Sequence, residues 1–100
     1  MRFSEKNVTT VKTAVHTAFP GISKVFLFGS RVDDHKRGGD IDLLVVSDLQ
    51  QSAQEVAKIM ALTKIQMALG EQKIDMLVTN DPARDVRPVV REALQHGIEL

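Results

Sequence analysis

The sequence predicts an α+β domain, a small mixed β-sheet packed by helices. Three observations carry this expectation. Apolar residues recur at helical spacing near the start, through the middle and near the end of the chain. Between those stretches lie three short apolar runs of strand type, at Val25–Phe28, Ile41–Val46 and Lys73–Thr79. The first two runs are joined by a polar segment of about a dozen residues, too short and too polar for the helical crossover that a fully parallel sheet requires. With 43% apolar and 26% charged residues, the composition is that of an ordinary globular domain. Residues 1–100 read as a single domain. A chain of this length buries roughly 65% of its unfolded surface, enough for one core but not for a second, acceptor-holding domain.

Each element has a local reason. Ser4 is a suitable N-cap for a first helix with Val8, Val11, Val15 and Ala18 on one face, and Pro20-Gly21 ends it. Val25-Phe26-Leu27-Phe28 is continuous rather than alternating, as in a strand covered on both faces. Ile41 and Leu43 to Val46 form a second such strand. Gln50 to Leu69 reads as a long helix stopped by Gly70, with one apolar stripe of Val56, Ala57, Met60 and Met67 and another of Leu62, Ile65 and Leu69. Met60, Met67 and Met76 read as core filler, and the width of the apolar arc points to a protein interface, with a second copy or with a partner. Lys73 to Thr79 is the third strand. Asp85 is expected to cap a last helix, with Pro88 in its first turn, Val86, Val89, Val90, Ala93 and Leu94 facing inward, and Gly97 after its end.

Composition excludes several function classes. The chain has no cysteine, so disulfides, thiolate nucleophiles and cysteine-based zinc sites are ruled out. Thirteen basic residues balance thirteen acidic ones, which disfavours nonspecific nucleic-acid binding. The opening MRFSEKNVTT lacks the apolar stretch of a signal peptide, no apolar run reaches membrane-spanning length, and a cytoplasmic location is expected. His16 and His96 read as surface residues, and Asp33, Asp34 and His35 as loop residues.

The chemistry concentrates around the second strand. Asp40 and Asp42 flank Ile41, and a strand period of two puts both on one face with Cα atoms ~6.6 Å apart. Two anions that close are costly to bury unless a cation lies between them, and hard carboxylate oxygens suit magnesium. Asp75, inside the third apolar run, is placed to complete a three-carboxylate cluster. Gly29-Ser30 follows the first strand, where glycine lets a phosphate approach the backbone and the serine hydroxyl can donate to it. Arg31 either stabilises charge on a leaving pyrophosphate or pairs with Asp33 or Asp34, while Lys36 and Arg37 add positive charge. Phosphate donors facing a metal-binding carboxylate pair suit phosphoryl or nucleotidyl transfer.

The stretch FGSRVDDHKRGGDIDLLV, Phe28 to Val45, joins Gly-Ser to D-x-D through nine residues and resembles the minimal nucleotidyltransferases of the DNA polymerase β superfamily. The later KIDMLV strand and the ending built on Ala93, Gly97 and Leu100 are similar as well. The resemblance implies a polymerase-β-like nucleotidyltransferase fold. It implies that Gly29, Ser30 and Arg31 meet the triphosphate, and that Asp40, Asp42 and Asp75 form the catalytic, magnesium-holding set. Many of the minimal proteins are similar to the antitoxin half of a toxin–antitoxin pair, whose partner is a helical HEPN ribonuclease. The implied activity is magnesium-dependent transfer of NMP, AMP from ATP, to a hydroxyl on such a partner. The rival readings are a non-catalytic module that neutralises its partner by binding, and an enzyme acting on RNA ends or small molecules, as a homo-oligomer.

Overall fold

A computed structural model of the chain describes residues 3–29, 40–70 and 72–100. In chain order the elements are α1 (Glu5–Ala18), β1 (Ser23–Phe28), β2 (Ile41–Ser47), α2 (Gln51–Leu69), β3 (Ile74–Thr79), α3 (Pro88–His96) and β4 (Ile98–Glu99). Ser4 caps α1 as expected, its hydroxyl accepting from Asn7 N–H at 3.1 Å. That bond satisfies one of the amides left unpaired at a helix start. Val11, Ala14, Val15 and Ala18 are buried, with Val8 packed at their edge.

The sheet order is β3-β2-β1-β4, with β1 antiparallel to β2 and β4, and β2 parallel to β3. The sheet is mixed, as the short first connection implies. Strand alternation divides its side chains between two cores. Val25, Leu27, Ile41, Leu43, Val45 and Met76 pack beneath α1 and α2. Phe28 and Leu44, with Phe26, Val46 and Leu77 beside them, pack against Val90 and Ala93 of α3. β2 therefore has an apolar partner on each face, which is why its sequence is a continuous rather than an alternating run.

Several expectations fail in instructive ways. The buried side of α2 is Ala57, Ala61 and Ile65, with Leu62 and Leu69 packed against the same core, so it draws in the second expected stripe and only Ala57 of the first. Val56, Met60 and Met67 face outward instead, 63%, 47% and 82% exposed, so Met60 and Met67 are not core filler, whereas Met76 is. Val86 precedes α3 and is 86% exposed, and Val89 is partly open as well. Asp85 does not cap the helix. Its carboxylate accepts from Arg87 N–H at 3.1 Å, from Nε at 3.0 Å and from Nη2 at 2.7 Å. The Arg87 guanidinium and the Thr79 hydroxyl hold Asp85 well below the usual carboxylate range. The same Nη2 donates to Val78 O at 2.8 Å, tying the loop before α3 to the end of β3.

β4 was not expected, because two residues are too short to show a period. It pairs Glu99 with Phe26 and Ile98 with Leu27, and Leu100 N–H donates to Val25 O at 2.9 Å. His16 shares a 2.7 Å hydrogen bond with Ser23 at the surface, and His96 lies 4.0 Å from Glu92. Among the described residues no helix is long and apolar enough to cross a membrane.

Gly97 makes the turn from α3 into β4. A Cβ there would run into the carbonyl oxygen of Ala93 and lie 3.2 Å from that of Leu27, both backbone atoms that cannot swing aside. Gly97→Ala is expected to lower stability by about 1–3 kcal/mol, the range of overpacking effects. Urea unfolding checks this, and an unchanged midpoint would contradict it.

Candidate active site

Parallel pairing of β2 and β3 sets Asp42 opposite Asp75, while the antiparallel partner of Asp42 on β1 is Phe28. Asp42 belongs to the sheet face that α3 covers, along with Leu44 and Val46. α3 buries Leu44 but leaves the carboxylate at the rim. Asp42 is partly buried and Asp75 exposed. Both open into a cleft of about 680 Å³ bordered by Phe28, Ile74, Leu77 and Val89, with Lys58 reaching in from α2.

Burial raises the Asp42 carboxyl above its ordinary value of 3.8. The charges of Asp75 and then Asp40 push it further up, Lys73 opposes them, and a hydrogen bond between the Asp42 and Asp75 carboxyls acts in the upward direction. Asp40 lies just before β2 with its side chain about half exposed, and its Oδ2 is 3.7 Å from Lys73 Nζ. Asp42 and Asp75 thus stand together, with Asp40 beside them and drawn toward a lysine.

Gly29, directly after β1 and so on the side of Asp42 away from β3, lies against the Asp42 carboxylate. Its φ of +77° is left-handed, and a Cβ at this position would collide with Asp42 Oδ2 and sit 3.2 Å from Cγ. The glycine next to the aspartates therefore has a structural role besides any contact with phosphate, since it makes room for the carboxylate. Ser30 and Arg31 lie outside the described residues, as do Asp33, Asp34, His35, Lys36 and Arg37.

Among the described residues no three acidic or histidine side chains are arranged to hold a metal ion by themselves. Two adjacent carboxylates on a face carrying excess negative charge do fit magnesium. That ion is commonly bound through one or two carboxylates, with phosphate oxygens and water completing its shell. Sequence reasoning missed two lysines of this site. Lys73 shares the strand parity of Asp75 and was legible from spacing. Lys58 arrives from a helix that nothing in the sequence ties to the cleft.

A family model described as polymerase beta, nucleotidyltransferase, matches residues 10–100. The chain belongs to that family. No curated protein matches it. For this nucleotidyltransferase domain the general enzyme class is transferase and the general substrate class is a nucleoside triphosphate.

The raised Asp42 gives a signed pH dependence. The folded protein holds this proton more tightly than the unfolded chain does, so ionised Asp42 detracts from stability above its folded pKa. That penalty is relieved as pH falls through the raised value toward 3.8. Without metal, Asp42→Asn is expected to melt at or above wild type at neutral pH. The difference should narrow on acidification through that window. Melting curves in EDTA from pH 7 to pH 4 check this, and a variant that melts below wild type at neutral pH would contradict it.

Proposed function

We propose that this domain transfers NMP, specifically AMP from ATP, to a hydroxyl group on a partner protein in the cytoplasm, with magnesium as cofactor. The observation that supports this best is the cross-strand pair Asp42–Asp75, open to a cleft, with the Asp42 carboxylate lying against Gly29. Asp42 and Asp75, with Asp40 beside them, would hold magnesium, which supplies charge neutralisation at the triphosphate oxygens. Gly29 keeps the Asp42 carboxylate in place, while Ser30 and Arg31 are assigned to the phosphates. Asp75, the more exposed of the pair, accepts the proton of the incoming hydroxyl. The hydroxyl oxygen bonds to the α-phosphorus, the bond to the bridging oxygen breaks, and pyrophosphate leaves with that electron pair.

The outer face of α2 supports a helical partner of the HEPN type. Ala53, Val56, Met60, Thr63 and Met67 are spaced three and four residues apart, the spacing of a seam that packs on another helix, and none is charged. The same face supports a second reading, in which the domain neutralises its partner by binding alone. It would also be the contact between copies if the domain forms a homo-oligomer.

Two experiments test these readings. Magnesium–ATP at a hundredfold excess over Kd is expected to stabilise the protein by about 2.7 kcal/mol, and ATP with EDTA much less. Asp42→Asn should lose most of the magnesium–ATP effect and nearly all transfer of labelled AMP. Equal shifts with and without metal would count against the carboxylate–magnesium reading, and a complex with no transfer would favour neutralisation by binding. Met60→Glu is expected to leave stability within about 0.5 kcal/mol, as for other exposed positions, while abolishing co-purification with the helical partner. Undisturbed co-purification would remove α2 from that role.

A further inference from the structure

The sheet order leaves β3 at an edge, with one side of its backbone unpaired by the sheet. Ile41 N–H donates to Lys73 O at 3.0 Å, and this sets the alternation of the ladder. In a parallel pair one residue points both its N–H and its C=O at the neighbouring strand, and the next residue points both away. Lys73, Asp75 and Leu77 therefore bond toward β2, while Ile74, Met76 and Val78 turn their backbone groups outward. The bond from Arg87 Nη2 to Val78 O agrees with this parity. Among the described residues no other hydrogen bond reaches the backbone of Ile74, Met76 or Val78 on that side, and just before the strand Gln72 O accepts from Gln66 Nε2 at 3.3 Å. Arg87 thus closes the far end of the strand, and the open donors and acceptors gather at the end that carries Asp75.

A trough follows that edge. The 680 Å³ cleft of the carboxylates adjoins a depression of about 220 Å³, the two sharing Lys58, Met76 and Leu77. That depression adjoins another of about 350 Å³ through Gln54, Val78 and Arg87. α2 forms one wall along the whole length. Along its length the trough carries Asp42, Asp75, Glu55 and Asp85 against Lys58 and Arg87, so acidic groups outnumber basic ones and it lacks the basic excess that a phosphate backbone requires.

We infer that the free edge of β3 is the acceptor site, and that the segment to be modified binds there as an extended peptide forming a fifth strand. This rests on the proposed transfer to a protein hydroxyl and names how that hydroxyl arrives. A strand added to the sheet lies ~4.8 Å from β3. The side chain facing Asp75 then has its Cβ about 4.5–5.5 Å away on the same sheet face, which brings a serine, threonine or tyrosine hydroxyl to the carboxylate pair. Backbone pairing supplies affinity, and the trough walls select side chains.

The test uses the wild-type chain with magnesium, α-labelled ATP and a mixture of nine-residue synthetic peptides carrying one central serine, threonine or tyrosine. The same mixture is prepared N-methylated at alternate positions in two sets, one including the central residue and one including its two neighbours. The expected result is labelling of the unmodified peptides, a loss of at least tenfold for one methylated set, and little change for the other. Loss in the neighbour set marks an antiparallel added strand, and loss in the central set a parallel one. Equal behaviour of the two sets overturns the inference. So does absence of peptide labelling from a protein that magnesium–ATP stabilises, labelling of RNA oligonucleotides in place of peptides, or a dimer in sedimentation that the peptides do not dissociate. A protein that magnesium–ATP fails to stabilise fails at the transfer reading itself, which keeps the two failures apart.

Discussion

The parallel pairing of β2 with β3 forces two carboxylates into neighbouring positions, and much else in the molecule is arranged around that constraint. Asp42 and Asp75 repel, and Asp42 is also partly removed from water. A short acidic turn would relax by moving its side chains apart. Here the two residues belong to adjacent strands whose neighbouring side chains, Leu43, Leu44 and Met76, are buried in the two cores. The register cannot slip by one residue without sending each of those side chains to the wrong face. The energy that holds the charges together comes from the apolar packing behind them.

The surroundings are consistent with that tension. Lys73 lies near Asp40 and moderates the local charge, acting against the rise in the Asp42 pKa. Gly29 yields the space that a side chain would take from the Asp42 carboxylate, and its left-handed backbone is one that glycine adopts freely. α3 protects the adjacent apolar positions but stops short of the aspartates. On the proposed magnesium reading, a cation bound at a site crowded with negative charge would add to the stability of the fold.

The two ends of β3 differ in the same spirit. At one end Asp75 faces the cleft, flanked by Ile74 and Met76, whose backbone groups turn to the outer side of the strand. At the other, Arg87 clamps Val78 O and the Asp85 carboxylate together. Edge strands invite association, and proteins commonly blunt them. Here the blunted part lies away from the carboxylates. The outer face of α2 offers a separate, apolar surface of helical spacing.

Local signals determined most of the elements and the identity of the central residues. Continuous apolar runs marked β1 and β2, Ser4 marked the start of α1, and the spacing from Gly29-Ser30 to Asp40-x-Asp42 marked the candidate site, because chemistry and period act over a few neighbouring residues. Tertiary structure alone decided which α2 residues are core, since both stripes have the right period and only packing against α1 and the sheet selects Ala57, Ala61 and Ile65. It alone decided that Asp85 pairs with Arg87 instead of capping α3. It made a strand of Ile98 and Glu99, whose reason to be extended is a free edge on β1 more than sixty residues earlier in the chain. It also brought Lys58 to the cleft and placed Asp75 directly beside Asp42. Such contacts depend on register and on helix position, quantities set by the whole core and by no single segment of the sequence.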